Sequence, residues 1–394
     1  MLKSNIAWMK KNVPSDLKVW KGMIQDIDWS QVAAKTKLSL QRDKERITAE
    51  FKEFAAMDTS AKIDWLMNGD RHLGYLYKKD AIAFARREWK GLKSVGYDFV
   101  GWLKIWGGML NMVMKDPVSI MLAVFEYHWF ASYLATPAVV DRSVFGRRGK
   151  LLQADFDMWV AITHWAEDLI ANLIMADAKI GGNQKINKRI IMFDEMTMAQ
   201  MMAGFPNLLG IPYQMIPVFM VSEMDQLTLI PYIDAIESYG LPSDTCPLPT
   251  AECGCAVKDE YPMCGQGFIA SSMPCDGSVM ATSFQDRRFS KFMPSYPLCM
   301  PVRYDDEDTT EMAAADMKDC IHWVEGLTGE TWNWDTYFAT MEKMNECTRL
   351  EMEKWEINKT HYPQLVGSSF ELFRKWNYEM DGGLFPEGLK TQRK

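Results

Sequence analysis

All eight cysteines of this chain fall between Cys246 and Cys347, and none of the 245 residues before them is a cysteine. In a reducing compartment, thiols clustered in this way point to metal ligation or redox work before structural disulfides, while any one of them can instead be a small buried apolar residue. Two are distinguished by their surroundings. The segment Ser238-Tyr239-Gly240-Leu241-Pro242-Ser243-Asp244-Thr245-Cys246 closes a helical stretch, and Phe268-Ile269-Ala270-Ser271-Ser272-Met273-Pro274-Cys275-Asp276-Gly277 carries Cys275 just past a short apolar strand and just before a helix. In an open parallel sheet, ligands bind outside the carboxyl ends of the strands, and a helix amino terminus favours the negative charge of a thiolate or cluster. Cys246 reaches the same rim if its helix packs antiparallel to, and beside, that strand. The spacing allows a shared metal or iron-sulfur site, although two cysteines are not four ligands.

Other chemistries lack their residues. There is no phosphate-cradling Gly-x-x-x-x-Gly-Lys loop, no Gly-x-Gly-x-x-Gly turn, no Gly-x-Ser-x-Gly elbow and no His-Glu-x-x-His pair. Cys253-Gly254-Cys255 lacks the two-residue spacer of a zinc knuckle, and His72, His128, His164, His322 and His361 are too dispersed to complete one. His164 and Glu167, with Asp168 beside them, reverse the Glu-x-x-His order of carboxylate-bridged di-iron bundles and read better as helix-surface or capped core residues. Cys320 and His322, two apart on a helix, point to different faces and make a poor nucleophile and base.

The elements that must position the two cysteines lie in the second half of the chain. Up to Gly181 the pattern is helical, with Asp43 to Met57, Lys79 to Lys93 and Gln153 to Lys179 mixing apolar and charged residues at helical spacing, and with Trp65, Trp89, Trp102, Trp106, Trp129, Trp159 and Trp165 as core or interface residues. After Gly181-Gly182-Asn183 the rhythm changes. Strands are expected at Arg189 to Phe193, Tyr213 to Val221, Gly267 to Ser271 and Tyr296 to Val302, with helices at Asp194 to Ala203, Glu223 to Tyr239, Glu307 to Leu327 and Asp335 to Trp355. This alternation predicts an α/β fold, an open and mainly parallel sheet with helices on both faces, preceded by a large α-helical region. The expected division is a helical region over 1–187, a possible assembly surface, and a cysteine-bearing α/β domain with carboxyl-terminal helices over 188–394. No internal repeat is visible.

Apolar residues are 48% and charged residues 24% of the 394, which excludes a largely disordered chain. The net charge of −8 gives no global field for phosphate backbones, so nucleic acid is not an expected partner. Met196 to Ser222 is uncharged but broken by Pro206, Pro212 and Pro217, and Ile105 to Val140 is cut by Lys115, Asp116 and Glu126; neither reads as a membrane span. Lysines interrupt the apolar residues of the first eleven positions, so no secretory signal is read there and the expected location is the cytoplasm.

Several short motifs in shared order carry a resemblance. Glu195 to Gly204 (Glu-Met-Thr-Met-Ala-Gln-Met-Met-Ala-Gly) after a strand, Gly240 to Cys246 (Gly-Leu-Pro-Ser-Asp-Thr-Cys), then Cys275-Asp276, with Glu325-Gly326-Leu327-Thr328-Gly329 and Asn345 to Glu353 behind them, resemble subunits of the 2-hydroxyacyl-CoA dehydratase and benzoyl-CoA reductase family. The similarity covers about Lys188 to Glu356. It implies an oxygen-sensitive iron-sulfur cluster, of the 4Fe-4S kind, held by cysteine thiolates beside an acyl-CoA pocket shared with a related second subunit. An ATP-hydrolysing activator delivers a low-potential electron, and the thioester carbonyl accepts it as a ketyl radical that expels a hydroxyl group or leads to ring reduction. The activity implied is that of a dehydratase (a lyase) or an aryl-CoA reductase (an oxidoreductase) in an anaerobic hetero-oligomer.

Cys246 and Cys275 inherit the ligand role; no acid or base carries over. Family chains usually continue into a second α/β domain with a third cluster cysteine, whereas this sequence ends at Lys394. The missing thiolate can come from another polypeptide or from Cys253, Cys255 or Cys264 in the intervening loop, with Cys264 nearest the following strand, and water or substrate can also occupy an iron position. The alternative is an assembly subunit that docks a complete catalytic partner and holds no cluster.

Overall fold

The computed structural model describes residues 29–68, 92–135, 150–180, 189–193, 201–212, 217–218, 221–222, 226–242, 244–271, 276–290, 293–299, 301 and 306–361. The chain divides into two units at Asp43. The first contributes, among the described residues, the opening part of α1 (Trp29–Ala56). The second holds everything from Lys44 onward, including the remainder of that helix.

Within the second unit the helical region comprises α2 (Thr59–Asn68), α3 (Leu92–Lys115), α4 (Pro117–Glu126), α5 (Phe130–Leu134) and α6 (Lys150–Ala176). Asp116 ends α3 and caps α4 by accepting from the Ser119 amide, and Pro117 occupies the first turn of α4, where a missing N–H costs nothing. α3 and α6 pack along one another. No single described helix is long and apolar enough to cross a membrane. Of the expected Lys79 to Lys93 helix, only its last two residues are described, as the start of α3.

The sheet contains β1 (Arg189–Phe193), β2 (Leu208–Pro212), β3 (Gly267–Ser271) and β4 (Ser295–Leu298), in spatial order β2-β1-β3-β4 with every pair parallel. All four carboxyl ends therefore share one rim. A 3₁₀ turn (Gln226–Leu229), α7 (Ile230–Glu237) and α8 (Pro247–Val257) precede β3; α9 (Asp276–Phe289) connects β3 to β4; α10 (Glu307–Thr328) and α11 (Trp334–Asn358) follow. The sheet is covered on both faces. Met192, Phe268 and Ala270 join Tyr232, Cys255 and the helical region in one core, while Ile191, Phe193, Ile269 and Leu298 pack with Cys320, Val324 and Trp332 in another. This is the expected α/β architecture.

Three local expectations are corrected. The second described strand lies at 208–212, ahead of the expected Tyr213 to Val221, most of which lies outside the described residues: Phe205-Pro206-Asn207 turns directly into it, and its last residue is Pro212. Residues 247–257 are a helix and not a loop, opened by Pro247 in the first turn. β4 stops at Leu298, because the next amide, Cys299 N, donates to Asp316 Oδ2 at 2.6 Å instead of continuing as strand.

Candidate functional site

The rim of the sheet is built by two helices that start together. α8 ends in the loop leading to the amino end of β3, and α9 begins beyond the carboxyl end of that strand. Asp259, two residues past α8, is ion-paired with Arg288 in the last turn of α9, and Arg288 also reaches the Tyr261 carbonyl. Cys253 of α8 packs with Ala281 of α9. The helices thus lie side by side and run in the same direction, with both amino termini at the carboxyl rim. At about 1.5 Å per residue, Cys253 lies about 10 Å along α8 from Cys246 and Ala281 about 8 Å along α9 from Asp276, so the two helix starts are level to within about half a turn. Close approach of α7 behind α8 depends on Gly254, where an added Cβ would lie 1.9 Å from the Tyr232 carbonyl oxygen.

Cys246 is the residue before the first turn of α8. It is exposed, its thiol is in no disulfide, and its side chain makes no capping bond. Cys275 lies outside the described residues; α9 opens at the next position, Asp276. Cys264 belongs to the opposite end: it is buried three residues before β3, and burial, with Asp177 adding to it, pushes its thiol up. A five-residue strand, about 17 Å, separates that end from the carboxyl rim. Cys253 and Cys255 are buried on α8; burial pushes Cys253 up to about 12, and Cys255 is raised by burial and then by Glu260. A buried neutral thiol is a poor ligand and nucleophile. Among the described residues, no group of three or more His, Cys, Asp or Glu side chains is gathered around a metal position.

The remaining candidates occupy structural places. His164 Nε2 lies 2.6 Å from the Lys104 carbonyl, and Asp168 pairs with Lys115. Buried Cys320 and exposed His322 face apart, and His322 Nδ1 lies 2.9 Å from Glu325 Oε2.

A buried charge network that sequence reasoning missed fixes the lower ends of α8 and α9. Lys179, with no exposure, lies 3.4 Å from both Glu126 and Asp259, and Glu126 is paired in turn with Arg46. Glu260 Oε2 accepts from the His128 amide at 2.8 Å and from Tyr232 OH at 2.6 Å, and Asp177 accepts from the Met263 amide at 2.8 Å. Burial, and then Arg288, pulls Lys179 below its ordinary range against the acids around it. Asp259 takes a positive φ of 62°, so the turn is shaped to deliver its carboxylate. These partners are separated by up to 132 positions in sequence, which is why no local pattern announces them.

Residues 226–383 match the family model for the 2-hydroxyglutaryl-CoA dehydratase D-component. The matched span is under half of the chain. All eight cysteines lie inside the matched segment, as do α7 through α11, whereas the amino-terminal helices, β1 and β2 precede it. No curated protein matches the chain.

Proposed function

We propose that this chain is the iron-sulfur subunit of a dehydratase acting on a 2-hydroxyacyl-CoA, with Cys246 and Cys275 as cluster ligands. The observation that carries the reading is the pair of nearly level, parallel helix starts within the matched segment, each immediately preceded in sequence by a cysteine. The residues suit such a group: the Cys246 thiol is exposed and uncommitted, thiolate sulfur is the preferred ligand of iron-sulfur clusters, and the positive end of the α9 dipole favours an anionic assembly, whereas Pro247 and Pro249 leave α8 only the Leu248 amide.

The bound cluster would supply a low-potential electron to the thioester carbonyl. An ATP-hydrolysing activator is the electron source, and a related second subunit completes the acyl-CoA pocket. Elimination then removes hydroxide from one carbon and a proton from its neighbour, and the electron returns, so dehydration is redox-neutral overall. The chain's own part is to hold the thiols at the rim while the buried charge network keeps α8 and α9 in step, and to exclude water from the electron path. Such work belongs in an anaerobic cytoplasm.

The test is Cys275→Ala in the full chain purified without oxygen. Loss of the brown chromophore with an unchanged far-UV circular dichroism spectrum is expected. A full cluster retained in that variant would refute the ligand assignment.

A further inference from the structure

α3 is apolar on two opposite faces, and the fold of the chain uses one of them. Ile105 and Met112 are fully buried in the core that also holds Leu169 and Ile170 of α6, and between them Gly108 admits the side chains of His164 and Glu167. On the far side Phe99, Leu103, Leu110 and Met114 are 59%, 48%, 58% and 64% exposed. At 3.6 residues per turn these four fall within an arc of about 60°, opposite the buried face. Val100, Trp102 and Val118, all exposed, widen the stripe, and the Trp106 ring leans on Trp102 with centroids 5.6 Å apart. A helix at the surface of a globular protein carries one apolar stripe; a helix with two is sandwiched. Seven large side chains about half exposed, at about 200 Å² for each one whole, present roughly 700 Å². That exceeds the largest patch on a typical monomer and approaches the about 800 Å² that each partner gives to a standard interface.

The stripe is also its own complement. Phe99 and Met114 are equally far from the Trp106–Gly107 peptide, and so are Leu103 and Leu110. A second α3 laid antiparallel about a two-fold axis at that peptide sets Leu103 against Leu110 of the second copy and Phe99 against its Met114. Gly107, where an added Cβ would meet nothing within 4 Å, lets the two backbones approach at the axis. A lipid surface is a poorer occupant. A helix lying on a membrane turns a cationic face to water and headgroups, whereas the face of α3 opposite the stripe is apolar and buried, and the chain carries a net charge of −8.

We infer that the outer face of α3 is a homodimer interface, in which two copies of this chain pair antiparallel about Trp106 and Gly107. This does not rest on the cluster reading above and stands or falls separately from it.

The test is sedimentation velocity of the full-length protein from about 1 to 100 µM, kept reduced so that its exposed thiols cannot link chains. A concentration-dependent dimer is expected. Leu103→Glu and Leu110→Lys each place two unpaired charges in the interface and should raise the dimer Kd about 100-fold or more. The double variant Leu103→Glu/Leu110→Lys sets each new carboxylate against a new ammonium of the second copy and should recover at least about tenfold of that loss. Unchanged far-UV circular dichroism shows that each exposed substitution leaves the chain folded. A wild-type chain that stays monomeric throughout overturns the inference. So does a dimer that neither single substitution weakens, or one that both weaken and the double variant does not recover. A monomeric chain is further mixed with phosphatidylcholine vesicles: cosedimentation abolished by Leu110→Lys gives the stripe to a lipid surface, and no cosedimentation gives it to a different protein, either result replacing the second copy.

Discussion

Glu167 is buried to 2% exposure on α6, and neither of its carboxyl oxygens has a hydrogen-bond partner. It faces α3 at Gly108, where an added Cβ would lie 2.3 Å from Glu167 Oε2. Burial alone pushes its carboxyl up from 4.5 to about 9. A raised folded-state value for an acid means that the folded chain holds a proton the unfolded chain releases. Its contribution to stability is thus complete below about pH 4.5 and is lost as the pH rises through about 9. Each pH unit in this window costs about 1.4 kcal/mol, so at pH 7 the wild-type protein forgoes about 3 kcal/mol relative to a permanently neutral isostere. Glu167→Gln supplies that isostere. Urea unfolding followed by circular dichroism at several pH values between 4.5 and 8 should give curves that coincide at the acid end and separate steadily, the variant being about 3 kcal/mol more stable at pH 7. Parallel curves would mean that Glu167 is ionised in the fold, and the account of the α3–α6 interface would be wrong.

Lys179→Met removes the cation that Glu126 and Asp259 share and leaves each its arginine partner, Arg46 and Arg288, so it should destabilise by about 1–3 kcal/mol in urea titration. Gly254→Ala drives a methyl group into the Tyr232 carbonyl, forcing α7 from α8; a loss of about 1–3 kcal/mol and faster amide exchange in both helices are expected. Gly329, at φ 73°, closes α10 in a left-handed turn, so Gly329→Ala should lower stability by about 1 kcal/mol in the same titration.

Much of the scaffold was legible in the sequence. β1 and β3 are apolar runs bounded by polar or turn residues and fall where expected, and α10 begins at Glu307, behind the Asp306 cap. α8 was hidden because Pro247, Pro249 and Gly254 read as loop, although two of them suit a helix start and the third a close helix contact. The end of β4 was hidden for a different reason: the apolar run Tyr296 to Val302 suggested a longer strand, and the side chain that ends it, Asp316, lies 17 positions from Cys299. The partnering of α8 with α9 was equally unreadable, since it depends on Asp259 meeting Arg288 across the intervening strand.

The most direct test of the account is the iron and acid-labile sulfide content of the full-length protein purified without exposure to oxygen. A bound cluster predicts about four of each per chain and a brown, oxygen-labile chromophore. Protein that is colourless and free of iron after anaerobic purification and reconstitution, with or without zinc, would contradict it.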